Sequence, residues 1–332
     1  MKISNFFVKN NFKEFLNKNI SRKSFIKFLG AGLGYLALQT KSARYAFAKA
    51  TGQTLKPRSG RKVVTNFDLA VVKGENPAVI TRKAIEILGG MNRFVKSGDT
   101  VVIKPNIGWD RTPEQAGNTN PEVVGTLVKL CRDSGAKIVK VFDRSCNDSR
   151  RTYRNTGIED AVKKAGGVIY FCDDWKFYPA QYPKGSIMAD WPMFRDAVEC
   201  DVFINVPIAK DHGLTGLTLS MKNLMGVCGG NRGRIHWDID QKLVEITEFI
   251  KPDLTVIDAY RILLRNGPTG GDLGDVEMKK TVIASADPVL ADAYATTLFG
   301  MKPSDIGSIP IASRRGLGSM DIAKAKIREI RV

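Results

Sequence analysis

Thr100-Val101-Val102-Ile103-Lys104-Pro105-Asn106 is a short β-branched run that stops abruptly on a lysine and an asparagine. Four successive residues without polar alternation suit a strand buried on both faces, the habit of a parallel sheet. The same pattern recurs outward from it. Lys137 to Phe142 stops at Asp143, Asp201-Val202-Phe203-Ile204 stops at Asn205, and Leu254 to Ile257 stops at Asp258. Val168 to Phe171 and Thr281 to Ala284 read as further strands. Helix signals lie between them. Asn120 caps and Pro121 opens a helix that ends at Ser134-Gly135, and Gly157 to Ala165 and Gln241 to Ile250 supply two more. Asp287-Pro288 opens a last one that runs to Phe299-Gly300. The alternation predicts an α/β fold: a largely parallel sheet with helices on both faces, expected as two lobes, 61–190 and 191–332, with a crevice between them. Such sheets bind ligands at the carboxyl ends of their strands. Lys104, Asn106, Asp143, Asn205 and Asp258 are therefore candidate ligand-binding residues, although each alone suits an ordinary turn or cap.

The richest chemistry lies in Asn205 to Trp237, NVPIAKDHGLTGLTLSMKNLMGVCGGNRGRIHW. His212 and His236, the two histidines of the chain, both fall there, together with Lys210, Lys222, Asn223, Cys228 and Arg232. Imidazole titrates near neutrality and serves in proton transfer and metal ligation. Lys222 stands between Leu219, Met221, Leu224 and Met225, where an ammonium group needs a partner or a shifted pKa. Gly229-Gly230-Asn231-Arg232-Gly233 lacks the Lys-Ser/Thr of a P-loop, yet its N–H groups, with Arg232 and Arg234, could cradle an anion. Gly267-Pro268-Thr269-Gly270-Gly271 is a second glycine-rich loop, expected to be a flexible turn. Neither a G-x-S-x-G elbow nor an H-E-x-x-H zinc motif is present.

Composition limits the function classes. The 332 residues, 43% hydrophobic and 26% charged, are enough for a large buried core. Of the net charge of +17, residues 1–50 carry +9, and the remaining +8 is scattered. No basic stripe interleaved with aromatics appears, so nucleic acid is not an expected partner, whereas a small anionic ligand is. Ser21-Arg22-Lys23-Ser24-Phe25-Ile26-Lys27, the apolar run Phe28 to Leu38 and the small-x-small site Ala46-Phe47-Ala48 have the order of an export signal. Residues 1–48 thus predict an exported, periplasmic or extracytoplasmic protein, touching the membrane only through an uncleaved signal, with a polar linker at 49–60. Eleven apolar residues are too few to span a bilayer. The five cysteines form no C-x-x-C pair, so no iron–sulfur cluster is expected. Cys131 shares a helical apolar stripe with Val124, Leu127 and Val128, and Cys228 is the one thiol placed for chemistry.

Five motifs then occur in a telling order: Val102-Ile103-Lys104-Pro105-Asn106, Asn118-Thr119-Asn120-Pro121, Asn205 to His212, Met221-Lys222-Asn223-Leu224-Met225-Gly226, and Ser285-Ala286-Asp287-Pro288. Together they resemble the family described as domain of unknown function 362, over most of residues 65–320. That resemblance implies a fold and no settled activity. The signal core resembles the twin-arginine type, with Lys23 in place of the second arginine, which implies the twin-arginine export machinery as a partner.

A more distant likeness adds chemistry. His212-Gly213-Leu214-Thr215-Gly216-Leu217-Thr218, followed by Lys222 and His236, is similar to the nickel-dependent lactate racemase family. The likeness implies Lys222 as the tether of a nickel-type cofactor, His236 as metal ligand with His212 beside it, His212 as general base, and Lys210 or Arg232 holding a carboxylate. No histidine precedes His212, so the second base of a two-base racemase is missing, and Leu219-Ser220-Met221 is bulkier than the glycine-rich run of the racemases. The resulting expectation is an exported enzyme, or former enzyme, acting on a small anionic metabolite with His212, Lys222 and Lys210 as catalytic residues. The cofactor-binding set would be Lys104, Asn106, Asp143, Asn205, Asn223, Asp258 and Arg232. The alternative is a non-enzymatic metal- or anion-binding protein of the cell envelope.

Overall fold

A computed structural model describes residues 53–189 and 191–332, so the export-signal reading of residues 1–48 lies outside the described residues. The strands are β1 (Leu69–Lys73), β2 (Thr100–Pro105), β3 (Ile138–Val141), β4 (Val168–Ile169), β5 (Phe177–Pro179), β6 (Pro192–Phe194), β7 (Val202–Val206), β8 (Ile208–His212), β9 (Gly216–Thr218), β10 (Leu254–Leu263), β11 (Val276–Ser285) and β12 (Ile327–Arg331). The helices are α1 (Pro77–Ile87), α2 (Pro121–Asp133), α3 (Ser149–Asn155), α4 (Ile158–Lys164), α5 (Arg195–Glu199), α6 (Ser220–Asn223), α7 (Ile239–Ile250), α8 (Pro288–Thr296) and α9 (Ser308–Arg314).

Ten strands make one mixed sheet in the order β12-β1-β11-β10-β7-β2-β3-β4, with β8 on β10 and β9 on β8. All neighbours pair in parallel except where β11 meets β1 and β10, and where β9 meets β8. Strand alternation divides the core between the two faces. Val101, Ile103, Val202, Ile204 and Val206 pack with α1, α2 and α4, while Val102 and Phe203 pack with α7, α8 and α9. Lys104 and Asn205, opposite each other in the β2–β7 register, therefore fall on the second face. That places two polar side chains inside an apolar layer, where they need partners.

The two expected lobes are one unit. Residues 54–332 form a single compact body, because β2 from the first half lies beside β7 from the second and β1 lies beside β11. The linker expected at 49–60 is also docked from Leu55 onward. Leu55 bridges Ala180 in the backbone, and the buried Arg58 guanidinium donates to Asp253 at 2.8 Å and to the Ile250 and Lys251 carbonyls. An arginine so held costs less to bury because its charge is matched and its N–H groups are used.

The site is set by the passage from β7 to β8. The first residues of β10 pair with β7 and its later residues pair with β8, so the chain continues along the same neighbour after Pro207. The β8–β9 hairpin carries Lys210 and His212 to the carboxyl edge of the sheet. It then feeds the short α6, whose first N–H groups, from Ser220 and Met221, are both taken by the buried Asp292 carboxylate of α8 at 2.7 and 3.1 Å.

Candidate functional site

A cavity of about 560 Å³ opens at this edge and gathers residues from the ends of β2, β3 and β8, from α6 and from the loop after it. Of the eleven residues expected from the sequence, eight line it: Asn106, Asp143, Lys210, His212, Lys222, Asn223, Arg232 and His236. Lys104, Asn205 and Asp258 do not. They are buried behind or beside it, and their partners explain why.

Lys104 is wholly buried, and its Nζ pairs with Asp143 at 2.8 Å while donating to Asn223 Oδ1 at 3.0 Å and to the Pro105 carbonyl. Burial pulls its pKa below the ordinary lysine range, and the Asp143 charge opposes that shift. Asn223 is the hub. Its Nδ2 donates to the Lys104 carbonyl and to Asn205 Oδ1, and its Oδ1 also accepts from Asn106 Nδ2. Asn205 Nδ2 in turn donates to the Ser220 carbonyl. Lys104, Asn106, Asn205 and Asn223 are thus one hydrogen-bonded network in which every buried polar group has a partner, the condition under which such a network rigidifies a core. Asp258 is a positioning residue. Its carboxylate accepts the Asn120 and Tyr260 N–H groups, and burial pushes its pKa up to about 6. Through Asn120 it holds the loop in which Thr119 accepts the Asn106 N–H and donates to the Val206 carbonyl.

The cavity wall is strongly cationic. Lys210 Nζ donates to the Gly117 and Pro268 carbonyls at 2.6 and 3.0 Å and to Asn106 Oδ1 at 3.3 Å, with burial lowering its pKa to about 7. Lys222 Nζ reaches Met225 Sδ at 3.5 Å, and burial lowers its pKa to about 8. Arg232 donates to the Arg144 and Ser145 carbonyls, and Arg144 to those of Cys228 and Gly230. Among the described residues lining the cavity, Asp143 is the only carboxylate. It is already engaged with Lys104 and with the Ile107 and Arg144 N–H groups.

The two imidazoles lie nearly parallel, 6.0 Å between centroids and 19° between planes. Burial, reinforced by the Lys222 charge, lowers the pKa of His212 to about 3 and that of His236 below the usual imidazole value. Both shifts favour the neutral imidazole. His212 Nδ1 accepts the Leu214 N–H at 3.1 Å, so the lone pair on that nitrogen is occupied. Among the described residues, no group of three or more His, Cys, Asp or Glu side chains could hold a metal ion. The racemase likeness asks one histidine, His236, to ligate the metal and Lys222 to tether the group; both line this cavity, while His212 has its lone pair engaged with backbone.

Other expectations need amending. Cys228 is fully buried and burial pushes its thiol up to about 12, which leaves it inert at neutral pH. Cys146 is exposed and lines the cavity with its Sγ 3.8 Å from Arg232 Nη2. Cys131 is buried in the α2 stripe as its spacing suggests. The loop at Gly267 is docked and not a free turn: Gly267 N donates to Asp211 Oδ2 at 2.9 Å, and a Cβ there would lie 1.9 Å from the Asp211 carbonyl oxygen. Arg144 was missed as well, although it directly follows Asp143 at a strand end.

Comparison with known proteins places this geometry. Residues 101–297 match the family model described as domain of unknown function (DUF362). The chain belongs to the DUF362 family. It is 28% identical over 252 residues to the thylakoid-associated protein sll1697 of Synechocystis sp., an overlap of 71% of this chain and 74% of that protein. Among solved structures it is similar to the lactate racemase apoprotein of Thermoanaerobacterium thermosaccharolyticum, at 12% identity and a TM-score of 0.41, covering 70% of this chain and 59% of that one.

Proposed function

We propose that this DUF362 protein binds a small anionic ligand in the cavity, as an enzyme or former enzyme acting on a small anionic metabolite. One observation carries the reading: Arg144, Lys210, Lys222 and Arg232 line a single cavity whose one carboxylate among the described residues is already paired with Lys104. Buried cations without a matching anion are costly, and an anionic ligand relieves that cost. A volume of about 560 Å³ is in the range of metabolite sites. Lys222 is the leading contact, since its ammonium reaches only the weak acceptor Met225 Sδ, whereas the other three are held by carbonyls. His212 and Lys210 are the further residues assigned to the ligand.

Isothermal titration with a panel of small carboxylates and phosphates tests this. Binding is expected, and Lys222→Met is expected to weaken it about 10- to 100-fold, the usual worth of one charge-assisted hydrogen bond. A panel that neither binds nor raises the unfolding midpoint would sink the reading.

Residues 1–48 are read as an export signal of twin-arginine type on their order of basic, apolar and small residues. The Synechocystis relative is named for an association with thylakoids, and no helix among the described residues is long and apolar enough to cross a membrane. Mass measurement of protein made in an exporting host is expected to show a chain beginning after Ala48. Retention of the intact chain in the cytoplasm would contradict export.

A further inference from the structure

We propose that the cavity selects an oxyanion that carries its own O–H donor, of which monohydrogen phosphate is the simplest, over a fully deprotonated anion of the same size and charge. The inference rests on the anion-binding reading and names the ligand class of that site.

The argument begins with the backbone partners of the two rings. An amide N–H can only donate, so the Leu214 N–H at 3.1 Å makes His212 Nδ1 an acceptor. A neutral imidazole carries a single proton, which therefore lies on Nε2 of His212. The Gly233 carbonyl oxygen can only accept, and it lies 3.2 Å from His236 Nδ1. That nitrogen holds the proton, and Nε2 of His236 keeps its lone pair. The two histidines are thus held in opposite tautomers: His212 offers a donor and His236 an acceptor. Parallel rings 6.0 Å apart are close enough for one small ligand to meet both.

The acceptor is unusual for its surroundings. Lys222 and the His212 Nε2–H are donors. Three of the acceptors nearby are already engaged: Asn106 Oδ1 and the Pro268 carbonyl take Lys210, and the Asp143 carboxylate takes Lys104 and two backbone N–H groups. A sulfate ion, which has acceptors alone, satisfies the donors but sets a lone pair against the lone pair of His236. A monohydrogen phosphate satisfies the same donors and gives its P–OH to His236. Covered by the bound ion, an acceptor left without a donor weakens binding by about 10- to 100-fold.

The test uses the full chain and two inorganic probes, phosphate and sulfate, titrated calorimetrically at neutral pH and equal ionic strength. Under those conditions Lys222 keeps its proton, and both forms of phosphate present carry an O–H whereas sulfate carries none. Phosphate is expected to bind about 10- to 100-fold more tightly than sulfate. In His236→Phe the ratio is expected to fall to about one through loss of phosphate affinity, with sulfate binding retained. Equal affinities in the wild type, or a preference that survives in His236→Phe, overturn the inference and leave anion binding standing. Binding of neither probe overturns the inference, and if the wider panel of carboxylates and phosphates is also silent, the anion reading falls with it. A second readout needs no ligand. The chain has two histidines, so selective ¹⁵N-histidine labelling gives two imidazole spin systems, and His236→Phe assigns them while its surviving His212 signal reports an intact fold. Nε2–H at His212 and Nδ1–H at His236 are expected. The same tautomer in both rings, or the reverse pair, contradicts the proposal.

Discussion

Gly226 shows how one residue protects the site. A Cβ at this position would lie 1.9 Å from Asp143 Oδ1 and 2.5 Å from Lys104 Cε, so the glycine of the Lys-Asn-Leu-Met-Gly motif exists to let the chain press on a buried ion pair. Gly226→Ala is expected to force the pair apart and to destabilise the fold by about 3–5 kcal/mol, the scale of breaking a buried charge pair, measured by urea unfolding. Lys210 makes a prediction in pH. Its pKa in the folded protein is about 7 against an ordinary value of 10.5, so between those values the unfolded chain binds more protons than the folded one. Stability contributed at this position therefore rises with pH across that window and levels off above it. Lys210→Met should remove this part of the rise. An unchanged slope between about pH 7 and 10 in the variant would show that Lys210 is charged in the fold.

At the scale of elements, the decisive unit is the four-residue α6, too short to hold itself by helix propensity. Its start is fixed from outside by Asp292 of α8, through the Ser220 and Met221 N–H groups. Its end is fixed by the hydrogen bonds of Asn223 to β2 and β7. Lys222 is presented between these two anchors. Asp292→Ala leaves two buried N–H groups unpaired and is expected to cost about 2 kcal/mol or more, together with weaker anion binding because Lys222 loses its frame. Asp292→Asn keeps one acceptor oxygen and should lose less. Calorimetry and urea unfolding run side by side would show whether the two losses travel together. Stability lost with affinity unchanged would mean that α6 is held without Asp292.

For the molecule as a whole, the ten-stranded sheet carries the prediction. Residues 54–332 share one ten-stranded layer with a covered core on either side. The first half lacks the β7 neighbour of β2, and the second lacks the β1 neighbour of β11. Circular dichroism and fluorescence should report one coincident unfolding transition, and the segments 61–190 and 191–332 expressed separately should not fold. Two separated transitions would restore the two-lobed expectation. Chains shortened to begin at residue 61 should lose about 3–5 kcal/mol through the unpaired Asp253, since Arg58 is its buried partner.

Local pattern alone was enough for the α/β class, for the strands β2, β3, β7 and β10, and for the caps at Asn120 and Asp287. These signals are contiguous in the chain: β-branched runs, an Asn or Asp before proline, and a glycine after a helix. It was also enough to gather Lys210, His212, Lys222 and His236 in one segment. The β8–β9 hairpin escaped that reading because Lys210, Asp211 and His212 look like loop residues, and β12 escaped because its alternating charges suit an exposed edge. Tertiary structure alone decided which polar strand ends reach the cavity. Asn106 and Asp143 do; Lys104, Asn205 and Asp258 turn inward to satisfy one another or the backbone. It also decided that Cys146 and Arg144 line the cavity, that Cys228 is buried, and that one imidazole Nδ1 meets a backbone N–H and the other a backbone carbonyl. The physical reason is common to all of these. A side chain's periodicity is local, but its hydrogen-bond partner can lie 119 residues away, as Lys104 and Asn223 show, and only the register of the folded sheet brings the two together.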